Sequence, residues 1–313
     1  MRCELRKALL VLGVAVGCIA SGVTALAEPA EQIIDVPGSA DFLAVDGDAV
    51  WVTNKGRVER WSRRGKVAEV PMAQPCGAMA IAVGALWVAD CKAGTLNRIG
   101  LATARITAVI ATGIARPDGE LNVVAGAGSI WVASDAKGAI ARVDPDDNRV
   151  VASIKVDAGT SYLAFGMGAL WAVSGPQRSV HKIDPRANAV TVRTRLGRQP
   201  GFLVVGEGSV WVQEQGDGTL ARIDPVTAAV SGRVKVDTTL RYGDIDTGGG
   251  KVWLRTTAGQ TFVVIDPDSL AVVARVGQAS GSGALRYTPA GVWTTAHDIQ
   301  RLSWWSPART DLP

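Results

Sequence analysis

The sequence predicts an all-β fold, a seven-bladed β-propeller closed by an N-terminal strand that completes the last blade. Three observations predict it. Seven tryptophans, Trp51, Trp87, Trp131, Trp171, Trp211, Trp253 and Trp293, recur at intervals of 36, 44, 40, 40, 42 and 40 residues, and a period of about 40 residues marks a repeat architecture. Within each period, short apolar segments alternate with Gly-rich and Asp-Pro turns, and no segment is long enough, or periodic enough at 3.6 residues, to be a helix. The two ends of the chain also complement each other: the last repeat has room for three strands, and the first segment supplies a fourth.

The third repeat shows the elements in order. Leu121 to Ala125 is a short apolar strand, Gly126-Ala127-Gly128 turns, and Ser129 to Ser134 carries Trp131. After a second turn over 135–138, Ala139 to Val143 forms a third strand. Asp144-Pro145-Asp146-Asp147-Asn148 turns again, and Val150 to Val156 ends the repeat. Four short strands joined by hairpin turns in about forty residues make one propeller blade. Gly166-Met167-Gly168, Gly206-Glu207-Gly208 and Gly248-Gly249-Gly250 repeat the first turn, while Asp184-Pro185, Asp224-Pro225 and Asp266-Pro267 repeat the Asp-Pro turn. None of the glycine clusters opens a helix or precedes Gly-Lys-Ser/Thr, which argues against a phosphate-cradling loop.

The last repeat has strands near Ala284–Tyr287, Val292–Thr295 and Ile299–Trp305, and then the chain stops. Gln32 to Val36, followed by Pro37-Gly38, resembles the outer strands Ser153 to Val156 and Arg193 to Leu196. It is expected to pair with the last repeat, so that no blade seam is left open.

Residues 1–27 differ from the rest. A basic start at Arg2, Arg6 and Lys7 precedes an apolar stretch from Ala8 to Ile19 and the small residues Ala25-Leu26-Ala27, the pattern of a signal peptide cleaved before Glu28. The apolar run is shorter than the ~20 residues that cross a bilayer. Lipidation at Cys18 is the weaker route, because Ala15 stands where a lipoprotein box usually has Leu. The expected domains are therefore a signal peptide over 1–27 and one propeller over 28–313, periplasmic or secreted, monomeric, with no membrane span in the mature chain. Cleavage leaves 30 basic and 28 acidic side chains, a balance that excludes a nucleic-acid binder. Cys76 and Cys91 remain after cleavage. They flank two strands of one blade whose ends meet on one face, so a structural disulfide is expected; a redox or thiolate role is the competing reading.

Gly-Ser-Ile-Trp-Val-Ala-Ser, Ile-Ala-Arg-Val-Asp-Pro and Val-Val-Ala-Ser-Ile-Lys-Val, all in the third repeat, resemble the blades of bacterial YVTN-type β-propellers and of the virginiamycin B lyase (streptogramin lyase) group. The resemblance runs along the whole mature chain and rests on blade-building residues. The lyase branch implies a metal-assisted elimination that opens a cyclic depsipeptide, with His and Glu side chains at the propeller mouth. His297 would then act as acid or base, and a divalent metal, Mg or another, would be held by mouth carboxylates such as Glu120. No catalytic motif of that group matches residue by residue. The other histidine, His181, falls in the third strand of its blade, where a packed or rim histidine is the ordinary reading.

Propellers bind ligands where the turns that enter the innermost strands meet those that follow the second strands. Asp41, Glu120 and Arg241 are placed at one repeat position there, just before an aromatic position held by Phe42, Tyr162, Phe202 and Tyr242 and, in other blades, Met79 and Leu121. Asp41, Glu120, Tyr162, Arg241, Tyr242 and Arg286 are thus the candidate ligand-binding residues. Rings packed between blades and charges solvated at the rim are the alternatives. Arg60, Arg98, Arg142, Lys182, Arg222 and Arg301 recur before the polar turn and are expected to lay their stems between blades, with charged ends on carboxylates or water. The acidic turn 144–148 lacks the Gly and terminal Glu of a calcium loop. Together these features point to an exported propeller that binds a small molecule or a periplasmic protein at its mouth without catalysis and without a cofactor. A metal-dependent carbon–oxygen lyase is the alternative.

Overall fold

The computed structural model describes residues 31–133, 137–240, 243–256 and 258–306. The expected signal peptide and the alternative lipidation site at Cys18 lie outside the described residues, as do Arg241 and Tyr242. The chain forms seven four-stranded antiparallel sheets, each a meander running outward from the channel. Blades 1 to 6 span residues 43–71, 75–111, 123–155, 160–195, 200–235 and 245–276. Blade 7 combines three strands within 285–305 with the N-terminal strand Glu31–Asp35, which pairs antiparallel with Arg301–Trp305. The closure expected from the sequence is thus present. Ser303 Oγ donates to Glu31 Oε1 at 2.6 Å across the seam, and the Thr295 hydroxyl donates to the Asp41 carbonyl, tying blade 7 to blade 1.

The Gly-X-Gly turns have both central residues in the left-handed region, with φ of 50° and 68° at Ala127-Gly128, 52° and 75° at Met167-Gly168, and 47° and 71° at Glu207-Gly208. This is the turn whose twist matches a hairpin. The glycine that opens the motif serves another purpose. A Cβ on Gly126 would lie 2.1 Å from the Phe165 ring, and one on Gly166 would lie 2.5 Å from Val205. Adjacent innermost strands can approach this closely only without a side chain there.

Each tryptophan of the period is buried, and each belongs to an apolar cluster shared with the next blade. Trp131, for example, packs with Leu163, Leu170 and Ile183 of blade 4, and Trp293 of blade 7 packs with Leu43, Val50 and Val52 of blade 1. Five of the indoles donate their N–H to the residue five positions back: Asp46 for Trp51, then the carbonyls of Ala82, Gly126, Gly206 and Gly248. Trp171 Nε1 is buried without a partner.

Opposite each tryptophan, on the third strand, stand Arg60, Arg98, Arg142, Lys182, Arg222, Val264 and Trp304. Arg301 is not in this register; it is three residues earlier, and Trp304 packs its ring 4.8 Å from that of Trp293 instead. In blades 2 to 5 the cation lies 4.9–5.9 Å from the centre of its own blade's indole. Its charged end reaches the next blade, and there the sequence expectation needs correction. The acceptors are backbone carbonyls of the Asp-Pro turns, Pro145 for Arg98, Pro185 for Arg142, Pro225 for Lys182 and Pro267 for Arg222, helped by Asn148 and Asn188. Arg60 alone meets a carboxylate, Asp46, at 2.9 Å. The turn carboxylates are already engaged. Asp144 accepts from the backbone N–H groups of Asp146 and Asp147 at 2.9 and 3.2 Å, which hold its carboxyl below the ordinary range. This is an Asx turn.

The indole hydrogen bond gives a direct comparison. Trp131→Phe should cost about 1 kcal/mol more than Trp171→Phe, because only the first substitution strips a buried carbonyl of its donor. Denaturant unfolding of the two variants checks this; equal costs would show that the indole bond adds nothing beyond burial.

Candidate functional site

Counting back from the tryptophan register corrects the placement of the mouth residues. Opposite the tryptophans on the innermost strands are Ala44, Ala80, Val124, Ala164, Val204, Asp246 and Arg286. Two residues earlier, towards the mouth, come Phe42, Ala78, Asn122, Tyr162, Phe202, Asp244 and Ala284. Phe42, Tyr162 and Phe202 are equivalent, as expected. Met79 and Leu121 are not, and Asp41 and Glu120 differ by one position. The spacing from the tryptophan is the same in all seven blades; the longer segments that enter blades 3 and 6 shift residues counted from the preceding strand instead.

Tyr162 packs against the apolar cluster between blades 4 and 5 and Phe202 against the one between blades 5 and 6, as the packing alternative expects, and the three rings also meet one another. Phe42 of blade 1 lies 6.2 Å from Phe202 of blade 5, and Phe202 lies 4.4 Å from Tyr162 of blade 4. Blades 1 and 5 are not neighbours in the ring, so these contacts cross the channel axis. Tyr287 behaves differently: it stacks on Trp253 at 4.9 Å, between blades 6 and 7.

Above these rings is a cavity of about 180 Å³ lined by Asp41, Phe42, Glu120, Tyr162, Phe202, Gln215, Asp244, Ser282, Gly283 and His297. Phe202 and Asp244 also border the channel cavity below, so they form the boundary between mouth and channel. Asp41, Phe42 and Glu120 are shared with a wider groove of about 610 Å³ that runs over Asn54, Gln74, Cys76 and Pro117. Two single-turn 3-10 helices, Gln215–Asp217 and His297–Ile299, follow second strands and carry Gln215 and His297 to the mouth.

The carboxylates of this pocket differ in their support. Asp244 is paired with Arg286 and accepts the Ile245 N–H at 2.8 Å. Arg286 is therefore a channel residue supporting a mouth carboxylate, and it also faces Asp246, whose carboxyl is raised by burial against the pull of Arg286 and two backbone N–H groups. Among the described residues, no donor reaches the Asp41 side chain, and Glu120 Oε2 is buried with no hydrogen-bond partner. Burial, reinforced by the charges of Asp244 and Asp298, pushes the Asp41 carboxyl up to about 7. Burial and then Asp41 push Glu120 up to about 7 as well, against opposing pulls from Arg116 and His297. Tyr162 is raised by burial and by Glu120. Arg116 donates to Ser161 Oγ at 2.9 Å and to the Glu120 backbone carbonyl at 3.4 Å.

Beside the pocket, buried Arg255 donates only to carbonyls, those of Thr256, Thr261, Ser280, Gly281 and Thr295. Burial lowers its guanidinium to about 10. It fixes the 278–284 segment that presents Ser282 and Gly283. Cys76 and Cys91 form the expected disulfide, with a Cα separation of 5.9 Å, which pins the wall of the groove. His181 does not line the mouth pocket: fully buried in the third strand of blade 4, it shares Asp157 with Ser179 and Arg193. Its Nε2 meets both Asp157 and Ser179, and Ser179 donates to the aspartate, so no nucleophile is activated.

Asp244 and Gln215 escaped the sequence reading. Asp244 was legible in principle as the one charged residue at the Phe42 position, but only with the register in hand. Among the described residues no three His, Cys, Asp or Glu side chains gather as a metal-ligand set, so the donors present do not fit the divalent metal that the lyase resemblance implies. No helix of the described residues is long and apolar enough to cross a membrane.

No family profile and no curated protein matches the chain in sequence. In structure it is similar to virginiamycin B lyase from Staphylococcus aureus, with a TM-score of 0.77 at 16% identity over 89% of this chain and 99% of that one. It is similar to a streptogramin B lyase at 0.76 and 15%, over 89% and 97%. Hydrazine synthase of Kuenenia stuttgartiensis scores 0.72 at 15%, over 87% and 96%. At such identities the likeness is one of fold.

The two raised carboxyls have a consequence for stability. Unfolded, they titrate near 4; folded, they hold their protons to about 7. Their contribution is present below about pH 4 and is lost as the pH rises to about 7. Asp41→Asn and Glu120→Gln should therefore lose less thermal midpoint than the parent between about pH 5 and pH 8. Thermal unfolding across that range checks it, and parallel curves would refute the assignment.

Proposed function

We propose that this chain is a small-molecule-binding propeller whose ligand sits in the mouth pocket, and that it binds without catalysis. The observation that carries this reading is the pocket itself: a carboxylate at Asp41 that no described donor reaches and a buried, unpartnered Oε2 on Glu120, beside three rings that meet near the channel axis. Uncompensated polar groups in a concave, partly aromatic cavity suit a ligand that supplies the missing partners. Among the described residues, the histidine His181 is engaged with Asp157 and Ser179 and activates no nucleophile. The expected signal peptide and the disulfide agree with an exported protein, periplasmic or secreted. A thermal-shift screen of the mature chain against amines, sugars, quinones, divalent metals and streptogramin-type depsipeptides tests the reading. A compound that raises the midpoint by several degrees should lose that effect in Asp41→Asn and Phe202→Ala. Stabilisation untouched by both substitutions would place binding elsewhere, and silence from every compound would favour a protein partner on the same face.

The second reading is a lyase acting on a cyclic depsipeptide, favoured by the full-length likeness to two lyases and by His297 and Glu120 lining one pocket. In it, His297 would take the proton of an elimination. Because the described residues offer no metal-ligand set, no step of this reading is assigned to a metal. His297→Ala separates the readings. Under the lyase reading, turnover of a streptogramin B substrate falls by 10²-fold or more, about the contribution of a general base, with the thermal midpoint kept. Under the binding reading, the parent protein has no turnover to lose.

A further inference from the structure

We propose that the mouth pocket takes an organic cation, an ammonium group on an apolar body, with its charge at Asp41 and Glu120 and its body on the rings of Phe42, Tyr162 and Phe202. This rests on the reading of the mouth as a small-molecule site and names the class of ligand.

The charge balance of the pocket is the first argument. Three carboxylates line it, and among the described residues only Asp244 is in an ion pair, with Arg286. The Asp41 side chain makes no hydrogen bond or ion pair among the described residues, and Glu120 Oε2 is buried without a hydrogen-bond partner, with the Arg116 and His297 charges acting on it from a distance. Arg116 spends described hydrogen bonds on Ser161 Oγ and on the backbone carbonyl of Glu120. A buried carboxylate lacking a counter-ion is unfavourable unless it is protonated or a cation arrives. An anionic ligand would add to that cost, and a neutral one would leave it in place.

The walls decide which cation. A small divalent ion needs several oxygen ligands at short range, and the described side chains provide no such set. Two of the rings stand with centroids 4.4 Å apart and the third 6.2 Å from its neighbour. Aromatic faces attract a weakly hydrated ammonium, and more strongly once it is desolvated. The inner cavity of about 180 Å³ suits the head of such a molecule. The groove that shares Asp41, Phe42 and Glu120 leaves room for a longer body over Gln74 and Pro117.

Binding is coupled to protons. Burial, joined by Asp244 and Asp298 at Asp41 and by Asp41 and Asp244 at Glu120, keeps both carboxyls partly protonated near neutrality, with Arg116 and His297 opposing at Glu120. A bound cation favours both ionised forms and expels protons, so affinity rises from about pH 6 to pH 8.

Isothermal titration calorimetry of the mature chain with choline and with its neutral carbon isostere, 3,3-dimethylbutan-1-ol, tests the proposal. The expected result is binding of choline at least tenfold tighter than the alcohol, tighter at pH 8 than at pH 6, with protons released to the buffer. Asp41→Asn combined with Glu120→Gln should abolish the preference for charge. Phe202→Leu should weaken choline by severalfold; retained thermal unfolding certifies both variants as folded. Equal binding of choline and the alcohol, lost in the Phe202 variant, overturns the cation and leaves the mouth site standing. Choline binding unchanged in both variants overturns the cation and the mouth site together. No binding of choline by the parent protein overturns the cation proposal alone.

Discussion

The fold depends on one interaction repeated around the ring: a tryptophan buried between its own blade and the next, roofed in four blades by a cation from the neighbouring strand. Burying so large a side chain removes more apolar area from water than any other single residue provides. The cation extends the interaction from packing to connection. Its stem covers the indole and its charged end is received by the Asp-Pro turn of the following blade, as with Arg142 over Trp131 and on to Pro185. The Asp of each turn, in accepting its own backbone N–H groups, fixes the direction in which the Pro carbonyl points. Blades 3 to 6 therefore each present the same acceptor to the blade before.

That periodic element is complete in blades 2 to 5 and fails towards the seam. Val264 and Trp304 replace the cation in blades 6 and 7, and other contacts take over there. Trp305 meets Phe262 edge-on at 5.4 Å, Arg63 of blade 1 lies 5.3 Å from the Trp304 ring, and buried Arg255 ties blade 6 to the segment before blade 7. The same departure reaches the channel. Where other innermost strands place Ala or Val opposite the tryptophan, blades 6 and 7 place Asp246 and Arg286. The charged side of the channel and of its mouth is thus the side where the ring is joined.

Fold and site were legible to different degrees for a physical reason. Blade structure is encoded by what recurs: the tryptophan, the left-handed Gly turn and the Asx turn each carry a local signature, so strand order, turn type, the N-terminal closing strand and the Cys76–Cys91 bridge could all be read before the coordinates. The mouth is encoded by what does not recur. Phe42, Tyr162 and Phe202 were visible as equivalents because three blades keep nine residues between ring and tryptophan, yet their meeting across the axis depends on the curvature of the whole ring. Asp244 keeps the Phe42 spacing to its tryptophan, but the longer segment that enters blade 6 makes Tyr242 resemble its equivalent when positions are counted from the preceding strand. Arg286 keeps the Ala44 spacing to its tryptophan, and its place in the channel rather than at the rim follows once these two positions are known to pair with the tryptophans.

The contrast between pattern and exception also bears on activity. Full-length structural likeness at 15–16% identity is what shared inter-blade packing alone would produce, since tryptophan, turn and cation are sufficient to build the ring. Discriminating chemistry must therefore be sought where this chain departs from its own repeat. At the aromatic position of the mouth other blades show that small residues, Ala78 and Ala284, are compatible with the same backbone. Three rings and Asp244 are consequently not demanded by the ring's geometry. Asp41 and Glu120 go further, because each lowers stability at neutral pH relative to a neutral side chain, through the burial that holds their carboxyls near 7. Groups that cost the empty fold stability and line a closed pocket are accounted for by what they do when it is filled.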